Sequence, residues 1–193
     1  IMSPSSGIET GWIQAVLPDI YTGEATRKYR EWLDVDALGS LIRLTGSQSR
    51  PSLEGYYRTP HDLGYGRFVH FDHEFVGRDA LMAKAETAPL QKVSLAWDPE
   101  DTGRLMKEMV MPEGQDVKML HLPVIHDKID VNYDRMTFEG KEAGTAHYTA
   151  YLATERAMLT LALVDEQLKI GDEVVLTWGE LGGGVGTIEL VEH

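Results

Sequence analysis

Cysteine is absent from this 193-residue chain, and several other features are scarce. Without thiols the chain has no disulfides, no thiolate metal ligands and no cysteine nucleophile. Basic residues are few, 18 Lys and Arg against 31 Asp and Glu, so the formal net charge is −13. A field of that sign repels phosphate backbones, and we expect no nucleic-acid partner. No apolar run approaches the roughly 20 residues that span a bilayer and no signal peptide is visible, so we expect no membrane association. The absence of cysteine suits a reducing cytoplasm, which is the location that we expect.

The pattern along the chain predicts an α+β fold in two parts. Residues 1–88 form a mixed α/β segment, in which Tyr29 and Trp32 begin a helical stripe that we expect to pack in the core. The helix that ends this segment cannot continue through Pro89, which marks the boundary. Residues 89–193 have the short, regularly spaced strands of a small antiparallel β-barrel of about six strands.

Local patterns predict the individual elements. Helices are expected from Arg78 to about Glu86 and, after a turn, within Asp98–Met111. The turn Glu139-Gly140-Lys141 would join two paired strands. The predicted strands are Val93–Trp97, Met119–Ile125, Val131–Phe138, Gly144–Tyr151, Met158–Val164, Glu173–Trp178 and Thr187–Val191.

One stretch concentrates aromatic and titratable residues. Residues 55–83 read GYYRTPHDLGYGRFVHFDHEFVGRDALMA, with three histidines and four glycines among the aromatic and charged side chains. A solvated loop rarely has this mixture, whereas a loop folded against a core gains roughly 1.5–3 kcal/mol for each aromatic side chain that it buries. We interpret the stretch as one wall of a binding site.

Several ordered motifs resemble the C-terminal half of the glycine cleavage T-protein (aminomethyltransferase) family. They are Thr59-Pro60, Leu63-Gly64-Tyr65-Gly66, Phe75–Leu81 and the segment 140–165. Within that family, YYRTPHDLGYG, YREWL and TWGE are most similar to the tetrahydrofolate-dependent aryl O-demethylases. The resemblance implies a tetrahydrofolate-dependent one-carbon transferase. This chain would be its C-terminal portion, and a missing N-terminal half or partner chain would carry the carboxylates that hold the pterin.

The resemblance also implies cofactor-binding residues. Folate carries a flat, polar pterin ring and a p-aminobenzoyl-glutamate tail, so it needs an aromatic wall, hydrogen-bonding groups and a cation. Tyr57 or Tyr65 would stack on the ring, and Asp62 would accept hydrogen bonds from ring N–H groups. Arg58 or Arg67 would pair with a tail carboxylate. Alternatively, the tyrosines are core residues and Arg58 and Asp62 form a surface ion pair. The candidate residues are Tyr56, Tyr57, Arg58, His61, Asp62, Tyr65 and Arg67.

Three functions remain open. The first is transfer of a methyl or aminomethyl group to tetrahydrofolate from a small-molecule substrate, and the candidate substrates are a methoxylated aromatic, a methylated amine or an aminomethyl carrier. The second is a non-catalytic module that closes over folate or braces an assembly, with the chemistry in another half or chain. The run Ser47–Arg50 favours the second, because it lacks the tyrosine that the demethylases carry ahead of the Thr-Pro motif. The third is a domain of an amine-oxidising flavoprotein, although the chain has no flavin motif. No catalytic residue is assigned.

Two other motifs are similar to ligand-binding motifs, but we interpret both as structural. His70 and His73 flank Asp72, but on a strand His70 and Asp72 share one face while His73 lies on the other, so we predict no metal site. The run 182–186 is rich in glycine but is followed by β-type sequence rather than by a helix, so we predict a hairpin rather than a phosphate loop.

Overall fold

The computed structural model describes residues 10, 11, 13, 23–34, 37, 43–85, 90–111, 113, 117, 120 and 130–179. The α-helices of this part are α1 Arg27–Trp32, α2 Arg78–Ala85 and α3 Pro99–Val110, with 3-10 turns at Glu24–Thr26, Leu53–Tyr56 and Gly66–Phe68. The strands are β1 Arg43–Thr45, β2 Gln91–Ala96, β3 Asp130–Asn132, β4 Asp134–Phe138, β5 Lys141–Leu152, β6 Ala157–Val164 and β7 Val175–Thr177.

Five of these strands form an antiparallel sheet in the order β2-β6-β5-β4-β7, and β1 pairs with β3 in parallel. The mixed helix-and-sheet class with an antiparallel sheet is therefore confirmed, whereas closure into a barrel stays a prediction. The strand predicted at Thr187–Val191 lies outside the described residues, as does nearly all of Met119–Ile125. The division at residue 88 also stays a prediction, although β1 and β3 come from its two sides.

The predicted turn and helix after β2 are confirmed. Asp98 caps α3, its Oδ1 accepting hydrogen bonds from the backbone N of Glu100 at 2.8 Å and of Asp101 at 3.0 Å. Pro99 takes the first helical position, where a missing N–H costs nothing. Leu105 is the buried residue of the helix. Among the described helices, none is both long and apolar enough to cross a membrane.

The predicted hairpin between β4 and β5 is also confirmed. Its two-residue loop has positive φ at both positions, 51° at Glu139 and 76° at Gly140. That combination defines a type I′ turn, whose twist matches the right-handed twist of paired strands.

The interior strand β6, which pairs with β2 and β5, is covered on both faces. Met158, Ala162 and Val164 belong to a core cluster that includes Leu105 of α3. Leu161 and Leu163, which alternate with them, belong to a second cluster with Ile13 and Leu63. Because side chains alternate across a strand, the unbroken apolar sequence of β6 supplies both cores.

The prediction that Trp32 packs in the core is wrong. The side chain is 76% exposed and Tyr29 is 45% exposed, and the two rings lie against each other with centroids 5.8 Å apart. Their i, i+3 spacing correctly predicts that they meet on one side of a helix. That spacing contains no information about which side of the helix the core covers.

Candidate functional site

The seven predicted site residues do not all lie together. Tyr56 and Arg58 lie against the residues that join β3 to β4 and against β5. Tyr57 is half-buried directly after a 3-10 turn. The other predicted residues belong to the following turn and to the 3-10 turn after it, and they are His61, Asp62, Tyr65 and Arg67.

Tyr56 and Arg58 belong to a compact group, here called the Tyr133 cluster, which is completed by Tyr133, Thr145 and His147. The rings of Tyr56 and Tyr133 meet edge-on with centroids 5.0 Å apart, and Tyr133 Oη donates to the backbone O of Tyr56 at 2.9 Å. The guanidinium carbon of Arg58 lies 5.8 Å from the Tyr133 ring centroid. Arg58 Nη2 also donates to Thr145 Oγ1 at 3.4 Å. The cluster therefore places one cation between an aromatic ring and a hydroxyl.

His147 joins the cluster through a β-bulge. In the β5–β6 ladder Ala146 pairs with Ala162 and Tyr148 pairs with Leu161, so His147 is the extra residue. Bulges redirect side chains and are common beside active sites. The His147 side chain is buried, and its Nε2 lies 2.9 Å from Thr145 Oγ1.

Burial sets the protonation states of the cluster. The pKa of His147 is lowered from 6.5 to about 3, chiefly by burial and further by the charge of Arg58, while a hydrogen bond to the backbone of Asn132 opposes the shift. Burial also raises the pKa of Tyr133, and it lowers the pKa of Arg58, which stays charged at any ordinary pH. At neutral pH the cluster thus contains a neutral imidazole, a phenol and one guanidinium.

The loop that carries Arg58 is tied to the same strands by backbone contacts. Gly46 has φ +102°, and a Cβ there would lie 2.2 Å from the carbonyl oxygen of Tyr133. This close approach lets Gln48 N donate to that carbonyl at 2.9 Å. Further along, Tyr56 Oη donates to the Gln48 carbonyl at 3.1 Å and accepts from Arg50 N at 2.9 Å. These two hydrogen bonds close the loop between Gln48 and Tyr56, directly before Arg58.

Asp62 organises its own turn. Its carboxylate accepts from Thr59 N and Thr59 Oγ1, both at 2.8 Å, and from Leu90 N at 3.3 Å. About one of the roughly four acceptor positions of a carboxylate then remains for a ligand. Among the ion pairs of the described residues, Arg58–Asp62 does not occur, although the charge of Asp62 raises the pKa of Arg58 slightly against the effect of burial.

The remaining predicted residues point to different surroundings. His61 Nε2 is buried without a protein hydrogen-bond partner. Tyr65 lies beneath Lys92, whose Nζ is 5.1 Å from the ring centroid. Arg67 is exposed, with its guanidinium carbon 4.6 Å from the centroid of the Phe68 ring.

Sequence reasoning missed three members of the cluster, namely Tyr133, Thr145 and His147. Thr145 and His147 lie in a segment that the sequence predicts correctly as a strand, whereas Tyr133, predicted within the strand Val131–Phe138, lies between β3 and β4. The sequence pattern indicates no role for these side chains. The available signal was the pair Thr145 and His147, which are polar residues that alternate with Gly144 and Ala146 in the strand sequence. Their meeting with Tyr133 depends on sheet pairing, which the local pattern does not specify.

The histidine-rich segment before α2 contains a contact between one histidine and one carboxylate. His73 Nδ1 lies 3.0 Å from Asp72 Oδ1, and both side chains are exposed. Within the described part of the chain, no three His, Asp or Glu side chains are grouped so that they could hold a metal ion.

Comparison with known proteins relates the chain to two enzymes whose names denote removal or transfer of a one-carbon unit. The chain is 36% identical to syringate O-demethylase of Sphingobium sp. over 190 aligned residues. These make up 98% of this chain and 41% of that protein. It is 26% identical to sesamin methylene transferase of Sinomonas sp. over 149 aligned residues. These make up 68% of this chain and 31% of that protein. The chain thus spans less than half the length of either relative. No protein-family model matches it, and the likeness to the T-protein C-terminal half stays a prediction.

Proposed function

We propose that this chain is the C-terminal portion of an enzyme that moves a methyl group from a methoxylated aromatic to tetrahydrofolate. The observation that carries the proposal is the 36% identity with syringate O-demethylase over 98% of the chain. The similarity to a methylene transferase supports the broader class of one-carbon transfer. Tetrahydrofolate as the acceptor rests on the motifs around Thr59-Pro60 and Phe75–Leu81.

The residues of this chain suit a folate-class ligand. Arg58 Nε and His61 Nε2 are buried nitrogens without protein partners, and such atoms normally bind water or a ligand. Arg58 is a better partner for a ligand carboxylate than Arg67, because it is partly desolvated and held by the Tyr133 cluster. Tyr57 or Tyr65 would stack on the ring. Asp62 would offer its remaining acceptor position.

Tetrahydrofolate, when bound, supplies the nucleophilic N5 that accepts the one-carbon unit. The residues described here would contribute binding and orientation, which can lower a barrier by several kcal/mol when both reactants are held in the reacting geometry. Arg58 would fix a carboxylate, and the neutral His147 would hold the Thr145 hydroxyl beside Arg58. No residue of this chain is assigned the proton transfer to the leaving oxygen.

The test uses the protein expressed from the whole reading frame that contains the chain, since the chain matches only 41% of the O-demethylase. Syringate labelled with ¹³C in its methoxy groups is incubated with that protein and tetrahydrofolate. Nuclear magnetic resonance should show the label on the folate, with equal loss from syringate. Persistence of the label on syringate would reject the proposal, as would the absence of calorimetric folate binding at millimolar concentration.

The module alternative predicts a different result for the protein of the whole reading frame. That protein would bind folate but leave the label on syringate, and the reaction would appear only after another chain is added. The run Ser47–Arg50 has no tyrosine of its own, but the phenol of Tyr56 reaches it through Gln48 O and Arg50 N. A phenol thus lies beside this run in the folded chain, which weakens the argument for a purely passive module.

A further inference from the structure

We propose that Arg50 and Arg58 form a carboxylate-binding subsite, and that Glu142 fills it with its own carboxylate when no ligand is present. The proposal rests on the proposed function for the identity of the ligand. It adds Arg50 and Glu142, which nothing in the sequence motifs or in the relatives' names assigns.

The first support is the concentration of unsatisfied polar atoms on one loop. Among the described side chains, four buried nitrogen or oxygen atoms have no hydrogen-bond partner, and all four belong to the segment 48–61. Two of them are guanidinium Nε atoms, which can only donate and which stay protonated. Such donors require an acceptor from water or from a ligand. The four atoms are Gln48 Oε1, Arg50 Nε, Arg58 Nε and His61 Nε2.

The second support is that the two arginines flank the same short turn. The Cβ of Arg50 lies 3.0 Å from the position that a Cβ on Gly55 would take, and Arg58 Nη1 donates to the Gly55 carbonyl at 3.1 Å. The charge of Arg50 lowers the pKa of Arg58, which places the two cations within electrostatic reach. Two like charges held this close favour the binding of an anion between or beside them.

The third support is the weak hold on the carboxylate that now pairs with Arg50. Glu142 at the start of β5 forms an ion pair with Arg50, and 46% of the Glu142 side chain and 26% of the Arg50 side chain are exposed. Solvent can therefore reach the pair, and exposed pairs of this kind are held weakly. Asp62, the other acidic residue near Arg58, is held by three donors of its own turn. Glu142 is thus the carboxylate that an incoming carboxylate can replace.

A carboxylate could come from either of two ligands of the proposed reaction. One is an aromatic acid of the syringate type, and the other is the glutamate tail of folate. Both present a planar, two-oxygen anion to which a guanidinium can donate two parallel hydrogen bonds. Neutral counterparts exist for both, namely 2,6-dimethoxyphenol for syringate and 6-methyltetrahydropterin for tetrahydrofolate.

The experiment is isothermal titration calorimetry of the protein expressed from the whole reading frame that contains the chain, with these four compounds. Arg58→Gln should weaken the binding of a carboxylate ligand by about tenfold to hundredfold, since a hydrogen bond to a charged group contributes roughly 1.5–3 kcal/mol. Arg50→Gln should weaken it in the same direction. Glu142→Gln should strengthen it by about threefold to tenfold, because the internal competitor is removed. The neutral counterpart should bind all variants equally.

The matched control is the exposed ion pair of α3, in which Arg104 Nη2 lies 2.8 Å from Asp101 Oδ1. Arg104→Gln and Asp101→Asn change the same charges away from the loop and should leave all four affinities unchanged. Circular dichroism and thermal unfolding show whether each variant is folded. Because Glu142→Gln predicts a gain in affinity, damage to the fold cannot imitate it.

The outcomes separate the two proposals. A loss confined to syringate assigns the subsite to the aromatic acid, and a loss confined to tetrahydrofolate assigns it to the tail. If the enzyme fails to transfer the label but Arg58→Gln still weakens carboxylate binding, the proposed function falls and the subsite stands. The subsite is overturned if neither carboxylate binds at millimolar concentration, if each binds no better than its neutral counterpart, or if Glu142→Gln leaves affinity unchanged.

Discussion

The imidazole of His147 meets the ring of Tyr133 edge-on, with the centroids 4.6 Å apart and the planes at 73°. Tyr133 lies between β3 and β4, its backbone N donating to the Thr45 carbonyl at 2.8 Å, and His147 occupies the bulge of β5. The contact joins the parallel β1–β3 pair to the antiparallel sheet. Arg58 lies over the same Tyr133 ring, so the proposed carboxylate subsite borders this junction.

The burial of His147 predicts a specific pH dependence of stability. Its pKa is about 3 in the folded chain and 6.5 when exposed, so the neutral form stabilises the fold fully above pH 6.5. This contribution is lost as the pH falls toward 3, because the unfolded chain takes up the proton first. Between pH 8 and pH 5 the free energy of unfolding should fall by about 2 kcal/mol because of this residue, since pH 5 lies about 1.5 units below the pKa of the exposed histidine.

The measurement compares denaturant unfolding of the unaltered chain and of His147→Gln at the two pH values. The variant should lose about 2 kcal/mol less than the unaltered chain between them. Gly103→Ala changes stability without removing a titratable group and should keep the original pH dependence. Identical pH dependence in the unaltered chain and His147→Gln would show that His147 is not a buried neutral base.

Gly46→Ala should be strongly destabilising. The new Cβ would lie 2.2 Å from the Tyr133 carbonyl oxygen. The backbone φ of +102° is also one that residues with a side chain rarely adopt. We expect a loss of about 3 kcal/mol in the free energy of unfolding, measured by urea denaturation. Gly103→Ala is the control, because it lies within α3 with open space around it, and it should stabilise the chain by about 0.5–1 kcal/mol. Equal effects of the two changes would contradict the close approach at Gly46.

Tyr56→Phe should loosen the loop that presents Arg50 and Arg58. The phenol both donates to Gln48 O and accepts from Arg50 N, so its removal should cost about 1–2 kcal/mol of stability. Hydrogen exchange of the Arg50 amide should accelerate, which nuclear magnetic resonance detects directly. Tyr151→Phe removes a phenol from an exposed side chain of β5 and should change neither quantity. Unchanged exchange at Arg50 would exclude the anchoring role of Tyr56.

Thr160→Val tests the polar contact within the core. The Thr160 hydroxyl accepts from Trp97 Nε1 at 2.7 Å and lies 2.7 Å from Thr149 Oγ1, and the side chain has no exposed surface. Valine keeps the shape but leaves the indole N–H unpaired, so the free energy of unfolding should fall by about 1–3 kcal/mol. The double variant with Trp97→Phe should lose less stability than the sum of the losses of the two single variants. Strict additivity would mean that the two side chains are not coupled.

Much of the secondary structure could be predicted from the sequence, because its causes are local. The alternation from Val93 to Trp97 indicates a strand, and Asp98 followed by Pro99 is typical of a helix start. The Glu139-Gly140 turn lies between two β-type segments, which predicts the hairpin. For the same reason the helix predicted from Arg78 is present in the structure, which describes it over Arg78–Ala85.

The candidate site depends on contacts between residues far apart in the chain. Arg58 meets Thr145 and Tyr56 meets Tyr133 through a parallel strand pair and a bulge, and neither leaves a periodic trace in the sequence. A helical stripe such as Tyr29 and Trp32 likewise does not reveal which side the core covers. Local order follows from backbone sterics and nearest-neighbour periodicity, whereas burial, register and the pKa of His147 follow from packing across the whole chain.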